Sequence, residues 1–428
     1  MKCAFFTLGC KVNQYESAAM AQELTRCGFQ CVDPHEEADV YIINSCTVTA
    51  ESDRKTRQAV RRFRKNHPDS IIVLTGCMVQ ASPETEEILP EADIVLGNKN
   101  IDKLYGLILN FINSGNRTVS IEPHLTGDKF RGTPVTDYAD KTRAIVKIED
   151  GCNRFCSYCI IPYARGRVRS KPIEDIKSET QALASNGYKE IVLVGINLSA
   201  YGTDIDLNLV DAVKAVADIE KIERIRLGSL EPDHITDDVI AGLAGIEKFC
   251  PQFHISLQSG CDKTLKKMNR HYNTVEYEDL CMKIRSTFKD ATLTTDVMVG
   301  FPGESNSDFD ISLNFVKKTA FEKVHVFPYS RRPGTPAAGM ENQVENSVKQ
   351  QRAEIMADEC EKIRDSALKR QTGKTVEIIP EENNNGKIKG YTKNYIPVEI
   401  GFDAEIGEIV KVRIISAENG ICQGVEAD

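Results

Sequence analysis

An α/β chain in three successive parts is predicted by three observations. Apolar strands alternate with amphipathic helices over residues 1–112, the alternation resumes after Ala144 in six longer strand–helix units, and beyond Gly373 only short β-type runs remain. In the first part, strands fall near residues 2–8, 39–43, 71–74 and 93–96 with helices between them, which is the pattern of a parallel α/β layer. Residues 114–142 lose periodicity and gather Gly, Thr, Pro and Asp, as a linker or irregular crossover does. The central strands fall near 144–148, 191–194, 224–227, 253–257, 293–297 and 323–327, a full or partial (βα) barrel. A Pro/Gly stretch at 332–339 closes this block, and 344–371 has helical spacing. Short runs at 376–379, 397–400 and 409–415, separated by Asn and Gly, predict a small OB-like β-barrel. The expected domains are 1–130, 131–370 and 371–428.

Composition narrows the function classes. Gly and Pro together are about a tenth of the 428 residues, far below low-complexity values, and no apolar run reaches the ~18 residues of a membrane helix. The N-terminus is too short in apolar residues for a secretory signal, so a cytoplasmic protein without membrane contact is expected. A net charge of −9 excludes coating of nucleic acid by bulk electrostatics, and any such contact must be local. Fourteen cysteines in a reducing compartment point to metal or redox chemistry.

Cys152, Cys156 and Cys159 form C-x3-C-x2-C directly after the first central strand. Chance would produce this pattern about 0.015 times in a chain of this cysteine content. A cubane iron–sulfur cluster takes four soft ligands, and three thiolates leave one iron open to chelate a substrate such as the amino and carboxylate groups of S-adenosylmethionine. A structural zinc site would need a fourth Cys or His nearby, and none is present. The loop resembles the radical S-adenosylmethionine superfamily.

Cys10, Cys46 and Cys77 each follow the C-terminal end of a predicted strand in the first part. Ligands of open α/β sheets gather there, so three such thiols either share one metal centre or are inert buried thiols. The flanks Leu8-Gly9-Cys10-Lys11-Val12-Asn13-Gln14, Asn44-Ser45-Cys46-Thr47-Val48-Thr49 and Thr75-Gly76-Cys77-Met78-Val79-Gln80, with Ile161-Pro162-Tyr163-Ala164-Arg165-Gly166-Arg167, resemble the radical methylthiotransferases along essentially the whole chain. That resemblance implies an N-terminal domain with an auxiliary four-iron cluster, a central radical domain and a C-terminal TRAM β-barrel. It implies two 4Fe-4S clusters. Cys152, Cys156 and Cys159 would hold the one that cleaves S-adenosylmethionine to a 5′-deoxyadenosyl radical. Cys10, Cys46 and Cys77 would hold the one that carries sulfur to be methylated and donated. The implied reaction adds a methylthio group to C2 of a modified adenosine beside the anticodon of tRNA, using two S-adenosylmethionine per turnover. The flanks resemble the type acting on N6-threonylcarbamoyladenosine. The isopentenyladenosine type and a nonenzymatic iron–sulfur RNA-binding scaffold are the alternatives. The tRNA anticodon stem-loop is the expected partner, with an electron donor and a sulfur donor whose identities the sequence does not give.

Barrel sites lie at the C-terminal ends of strands, which makes Asn197, Ser229, Glu231, Gln258 and Gly300 candidates for S-adenosylmethionine, with Tyr158 and Phe327 as family-like lining residues. Gly195-Ile196-Asn197 departs from the superfamily's Gly-Gly-Glu. For RNA, seven cations lie within residues 54–65, and Arg54, Arg57 and Arg61 share one helical face, either a phosphate patch or a solvated face. Arg165, Arg167 and Arg169 extend the cluster loop in the same sense, the last two also being candidates for the threonylcarbamoyl carboxylate. In the acidic C-terminal part, Lys389 and Lys393 alternate with Tyr391 and Tyr395, suited to phosphate contact and base stacking, or else with both tyrosines in the small core.

Overall fold

The computed structural model describes residues 1–82, 89–138 and 142–427. The first part is a parallel sheet of β1 (Lys2–Thr7), β2 (Gln30–Val32), β3 (Val40–Ser45), β4 (Ile71–Gly76), β5 (Ile94–Gly97) and β6 (Thr118–Ser120), in the order β2-β1-β3-β4-β5-β6. Both faces are covered. Val40 and Ile42 pack with Met20 and Leu24 of α1 (Lys11–Arg26), while the alternate residues Tyr41 and Ile43 pack with Ala59, Val60 and Phe63 of α2 (Ala50–Asn66). Thr49 caps α2 by accepting the Ser52 N–H. Two further helices, α3 (Cys77–Ala81) and α4 (Leu104–Ser114), complete this layer. β2 and β6 are three-residue edge strands that the sequence reading missed, the second lying in the stretch taken for a linker.

Six strand positions of the central part follow the prediction closely. β7 (Arg143–Lys147) runs into β8 (Glu149–Asp150), which pairs with β9 (Arg169–Ser170). β10 (Glu190–Val194) and β11 (Arg224–Leu227) join β7 in one parallel sheet, and β12 (Ser229–Leu230), β13 (Gln252–Ile255), β14 (Thr292–Val299) and β15 (Lys323–Pro328) form a second. Gly228 marks the step between them, so one strand serves both sheets. β7 and β15 do not pair, which makes this a partial barrel open at one side. The core between strands and outer helices contains Ile191, Leu193, Ile225, Leu227, Phe253 and Leu293.

A 24-residue helix, α5 (Asn346–Lys369), leads to the C-terminal closed barrel of β16 (Thr375–Asn384), β17 (Lys387–Thr392), β18 (Pro397–Ile400), β19 (Val410–Glu418) and β20 (Ile421–Glu426), ordered β16-β17-β18-β20-β19. It sits under the N-terminal ends of the central strands. Arg224 donates to the Tyr391 and Glu377 carbonyls, and Arg226 to the Lys393 carbonyl. Tyr391 and Tyr395 stack on each other at 4.6 Å, with Arg143 over both rings and Arg226 over Tyr395. These rings are therefore engaged within the protein, correcting the base-stacking expectation. Lys393 donates to the Glu247 carbonyl, which ties it to the barrel base instead of freeing it for phosphate. Lys389 is half-buried beside Tyr391. Among the described residues no helix is long and apolar enough to cross a membrane.

Candidate active site at two cysteine triads

The loop after β8 carries Cys152, Cys156 and Cys159. It is pinned by backbone bonds from Cys152 N–H to the Gly166 carbonyl (3.0 Å), Ser157 N–H to the Met268 carbonyl (3.0 Å) and Cys159 N–H to the Cys156 carbonyl (2.9 Å). Gly151 has φ +89°, and a Cβ there would run into the Arg167 carbonyl, so the turn into the loop requires glycine. Two N–H groups point at sulfur: Arg154 N–H at Cys152 Sγ (3.5 Å) and Arg270 Nη1 at Cys156 Sγ (3.2 Å). Arg270 is itself held by Glu231 and by the Tyr272 hydroxyl oxygen. Burial pushes the Cys152 thiol up to about 12 and raises Cys159 as well. A soft metal ion replacing the proton relieves that penalty.

Cys10, Cys46 and Cys77 follow β1, β3 and β4. Because the chain leaves β1 for one face of the sheet and β3 for the other, a crevice opens at their ends, the switch point where open α/β sheets bind ligands. Close approach of the loops needs glycine: a Cβ on Gly9 (φ +104°) would lie 2.8 Å from Cys46 Cβ, and one on Gly76 (φ +99°) would meet the Ser45 carbonyl. Asn13 staples the crevice. Its Nδ2 donates to the Leu8 and Ser45 carbonyls (2.8 and 2.9 Å), and its Oδ1 lies 3.9 Å from Cys10 Sγ and 4.0 Å from Cys77 Sγ. Among the described residues no three His, Cys, Asp or Glu groups gather for a single metal ion. A cubane instead takes each thiolate on a separate iron, and a spread triad of thiols around an opening fits that donor set.

A buried charge cluster joins the triads. Arg165, fully buried, donates Nε to Cys77 Sγ (3.2 Å), Nη2 to Asn13 Oδ1 (3.0 Å) and Glu16 Oε2 (2.9 Å), and Nη1 to Glu16 Oε1 and, at 3.5 Å, to Asp150 Oδ2. Lys147 bonds Glu16 and Asp150 at 2.8 and 2.7 Å, and Arg169 lies 3.3 Å from Asp150. Arg169 also donates to the Arg165 and Arg167 carbonyls. Arg165 and Arg169 are thus internal links, correcting their reading as RNA contacts and that of Arg169 as a carboxylate partner. Arg167 alone of the three is exposed, lying over the Phe155 ring at 4.6 Å.

At the barrel mouth, Asn197 Oδ1, Gln258 Oε1 and Glu149 Oε1 are buried with no hydrogen-bond partner among the described residues. Asn197 and Gln258 lie just beyond strand ends and Glu149 opens β8, and Gln258 is held at φ +63°. Glu149 accepts the Asn197 N–H at 2.7 Å, and burial raises its carboxyl well above the usual range. Glu231 is paired to Arg270, Ser229 is exposed, and Tyr158 meets Phe301 edge to face, with Phe327 in the same apolar cluster. Gly300 differs from its expected role: its N–H donates to the Glu304 carboxylate, and a Cβ there would collide with the Lys349 stem. Glu16, Asn13, Glu149 and Arg270 escaped sequence reasoning. The first two sit in the first two turns of α1 after Cys10, the third three residues before Cys152, and Arg270 carries no sequence signal. On α2, Arg54 pairs with Glu51 and Arg61 with Glu91 at the surface, while Arg57 is half-buried.

The model of the uncharacterized protein family UPF0004 matches residues 2–97, and that of the radical SAM superfamily matches residues 146–316. The threonylcarbamoyladenosine tRNA methylthiotransferase MtaB of Bacillus subtilis is 39% identical, covering 97% of this chain and 94% of the relative, and that of Thermotoga maritima is 38% identical over 97% and 95%. A tRNA-2-methylthio-N(6)-dimethylallyladenosine synthase of Clostridium botulinum is 36% identical over 98% and 96%. The radical S-adenosylmethionine methyltransferase TsrM of Kitasatospora setae, solved with cobalamin and a [4Fe-4S] cluster, shares the fold at a TM-score of 0.56 and 14% identity, over 78% of this chain and 76% of that one. Two domain matches in this order, with relatives alike over nearly their whole length, show that the chain belongs to the radical S-adenosylmethionine methylthiotransferase family, enzymes using S-adenosylmethionine and an iron–sulfur cluster.

Proposed function

We propose that the chain is a tRNA methylthiotransferase converting N6-threonylcarbamoyladenosine beside the anticodon to its 2-methylthio derivative. Cys152, Cys156 and Cys159 hold one 4Fe-4S cluster in this reading, and Cys10, Cys46 and Cys77 a second. Bound, the clusters and two molecules of S-adenosylmethionine supply the radical and the methylthio group. The chain's own part is placement. Arg270 and the Arg154 N–H orient the first sulfur set, and Arg165 and Asn13 the second. The unpartnered oxygens of Asn197, Gln258 and Glu149 suit a ligand bearing N–H and O–H groups, as S-adenosylmethionine does.

The substrate reading is carried by the cleft beside Cys10. This cleft of about 280 Å³ is lined by Lys11, Arg143, Ile145, Val192 and Glu381 among others. Arg143 is committed to Glu190 and Glu381, whereas Lys11 enters no ion pair among the described residues. A threonylcarbamoyl group ends in a carboxylate, which Lys11 can pair. An isopentenyl group has no anion to offer that ammonium, which is solvent-exposed. C2 and N6 belong to one adenine, so the N6 substituent must lie close to the sulfur-bearing site, and Lys11 directly follows Cys10. The dimethylallyladenosine reading is the second possibility, on the similarity of those relatives. Nucleoside mass spectrometry of tRNA treated with the reconstituted enzyme tests the choice. The expected result is one added CH2S unit on threonylcarbamoyladenosine and none on isopentenyladenosine, and turnover of the latter alone would replace this reading by the second.

A further inference from the structure

The structure assigns Arg165 a role beyond holding two domains together: we propose that it is a positioning residue that places a compensating positive charge against the auxiliary centre and sets that centre's reduction potential. The inference rests on the reading of Cys77 as a ligand of the second cluster. Arginine has five N–H donors in a fixed fork, and here all five are used, on Cys77, Asn13, Asp150 and both oxygens of Glu16. The side chain therefore has one orientation, with Nε on the sulfur of Cys77.

The surrounding charges supply the second argument. The close ion pairs of Arg165, Lys147 and Arg169 run to Glu16 and Asp150, with Glu149 acting on Lys147 and Asp128 on Arg169 from beside the cluster. Among the groups Arg165 touches, only Cys77 is uncharged as a thiol and gains a charge as a metal thiolate. A buried guanidinium N–H aimed at sulfur is best matched when that sulfur carries negative charge, so the contact suits a thiolate at Cys77. N–H donors and net charge around cluster sulfurs are the levers by which proteins tune such centres. Adding an electron makes a centre more negative, so a fixed neighbouring cation favours the reduced form. The radical triad has its own guanidinium, Arg270 on Cys156, paired with Glu231 as Arg165 is with Glu16. Each triad thus has one guanidinium on one of its sulfurs, and Arg165 is the one that acts at the auxiliary centre.

Potentiometric titration of the reconstituted holoenzyme, followed by electron paramagnetic resonance, tests this. Arg165→Gln is expected to move the auxiliary midpoint to lower potential and Glu16→Gln to move it higher, with the radical-centre midpoint moving less in both. Arg165→Lys keeps the charge and should stay nearer wild type than Arg165→Gln. A merely structural role changes iron loading without producing shifts of opposite sign. If Arg165→Gln fails to retain auxiliary iron, the upward shift in Glu16→Gln still decides the matter. Unchanged midpoints, or shifts of one sign in both variants, overturn the proposal. Persistence of the second signal in the Cys10, Cys46 and Cys77 triple alanine variant overturns instead the reading on which it rests.

Discussion

The two triads solve one problem by opposite routes. Cys152, Cys156 and Cys159 arrive on eight consecutive residues, pinned by backbone bonds to Gly166 and Met268 and one within the loop, whereas Cys10, Cys46 and Cys77 are brought together from three strand ends by the sheet itself. A loop-borne site survives as long as its loop does. A sheet-borne site exists only when the whole layer is folded, and its precision is that of the strand order. The comparison teaches that local spacing identifies the first kind of site, while the second becomes visible only once the strands are placed in register.

The strongest test of that contrast removes each triad in turn. Alanine at Cys152, Cys156 and Cys159 should abolish 5′-deoxyadenosine formation, while alanine at Cys10, Cys46 and Cys77 should leave cleavage in place and abolish methylthio transfer. Each variant should fall from about eight irons per chain to about four, read by iron analysis after anaerobic reconstitution. Loss of cleavage in the second variant with the fold intact would break the division of labour.

Lys11 belongs to the sheet-borne side, and its replacement by Gln should reduce kcat/KM for threonylcarbamoyladenosine tRNA by about 10- to 150-fold, the equivalent of about 1.5–3 kcal/mol for a charge-assisted hydrogen bond. Competition between tRNA with and without the threonylcarbamoyl group measures this directly, since a general defect would lower both rates alike.

Glycine substitutions sharpen the comparison further. Gly76→Ala places a side chain against the Ser45 carbonyl at φ +99°, and Gly151→Ala against the Arg167 carbonyl at φ +89°. Each should cost about 1–3 kcal/mol in urea unfolding. The first should deplete auxiliary iron selectively and the second radical-centre iron. Equal loss at both centres from either substitution would show that the triads are not independently built.

The smallest effect is expected at the basic face of α2 in the N-terminal layer, proposed to meet RNA. Arg57 and Arg61 changed to Glu should weaken tRNA binding and lower the slope of log K against log salt by about 0.9 or less for each phosphate no longer neutralised. An unchanged slope would return this helix face to plain solvation.

Much of this architecture was legible in the sequence, and the failures have definite causes. β3, β4, β5, β7 and β10 show as apolar runs because they are buried on two faces. β2 and β6 do not, being three-residue edge strands whose side chains meet solvent, and neither β17 nor β20 has a continuous apolar run. The C-x3-C-x2-C loop was readable from spacing alone. Arg165 and Arg169 were misread because a run of cations looks the same whether it faces phosphate or buried carboxylates. Their partner Glu16 lies 149 residues from Arg165, a separation at which sequence carries no contact information. Asn197 and Gln258 were placed correctly at strand ends by barrel topology, but that their side-chain oxygens lack partners is a fact of packing.

The arginines beneath the barrel have a consequence for how the polypeptide can be divided. Arg143 and Arg226 rest their guanidinium planes on Tyr395, while Arg224 and Arg226 reach main-chain carbonyls of the last domain. Cutting the chain after α5 would strip these groups of their covers and open the barrel floor to water. What looks in the sequence like a detachable appendage is therefore the floor of the central domain, and a truncated enzyme is expected to lose solubility before any question of tRNA affinity arises.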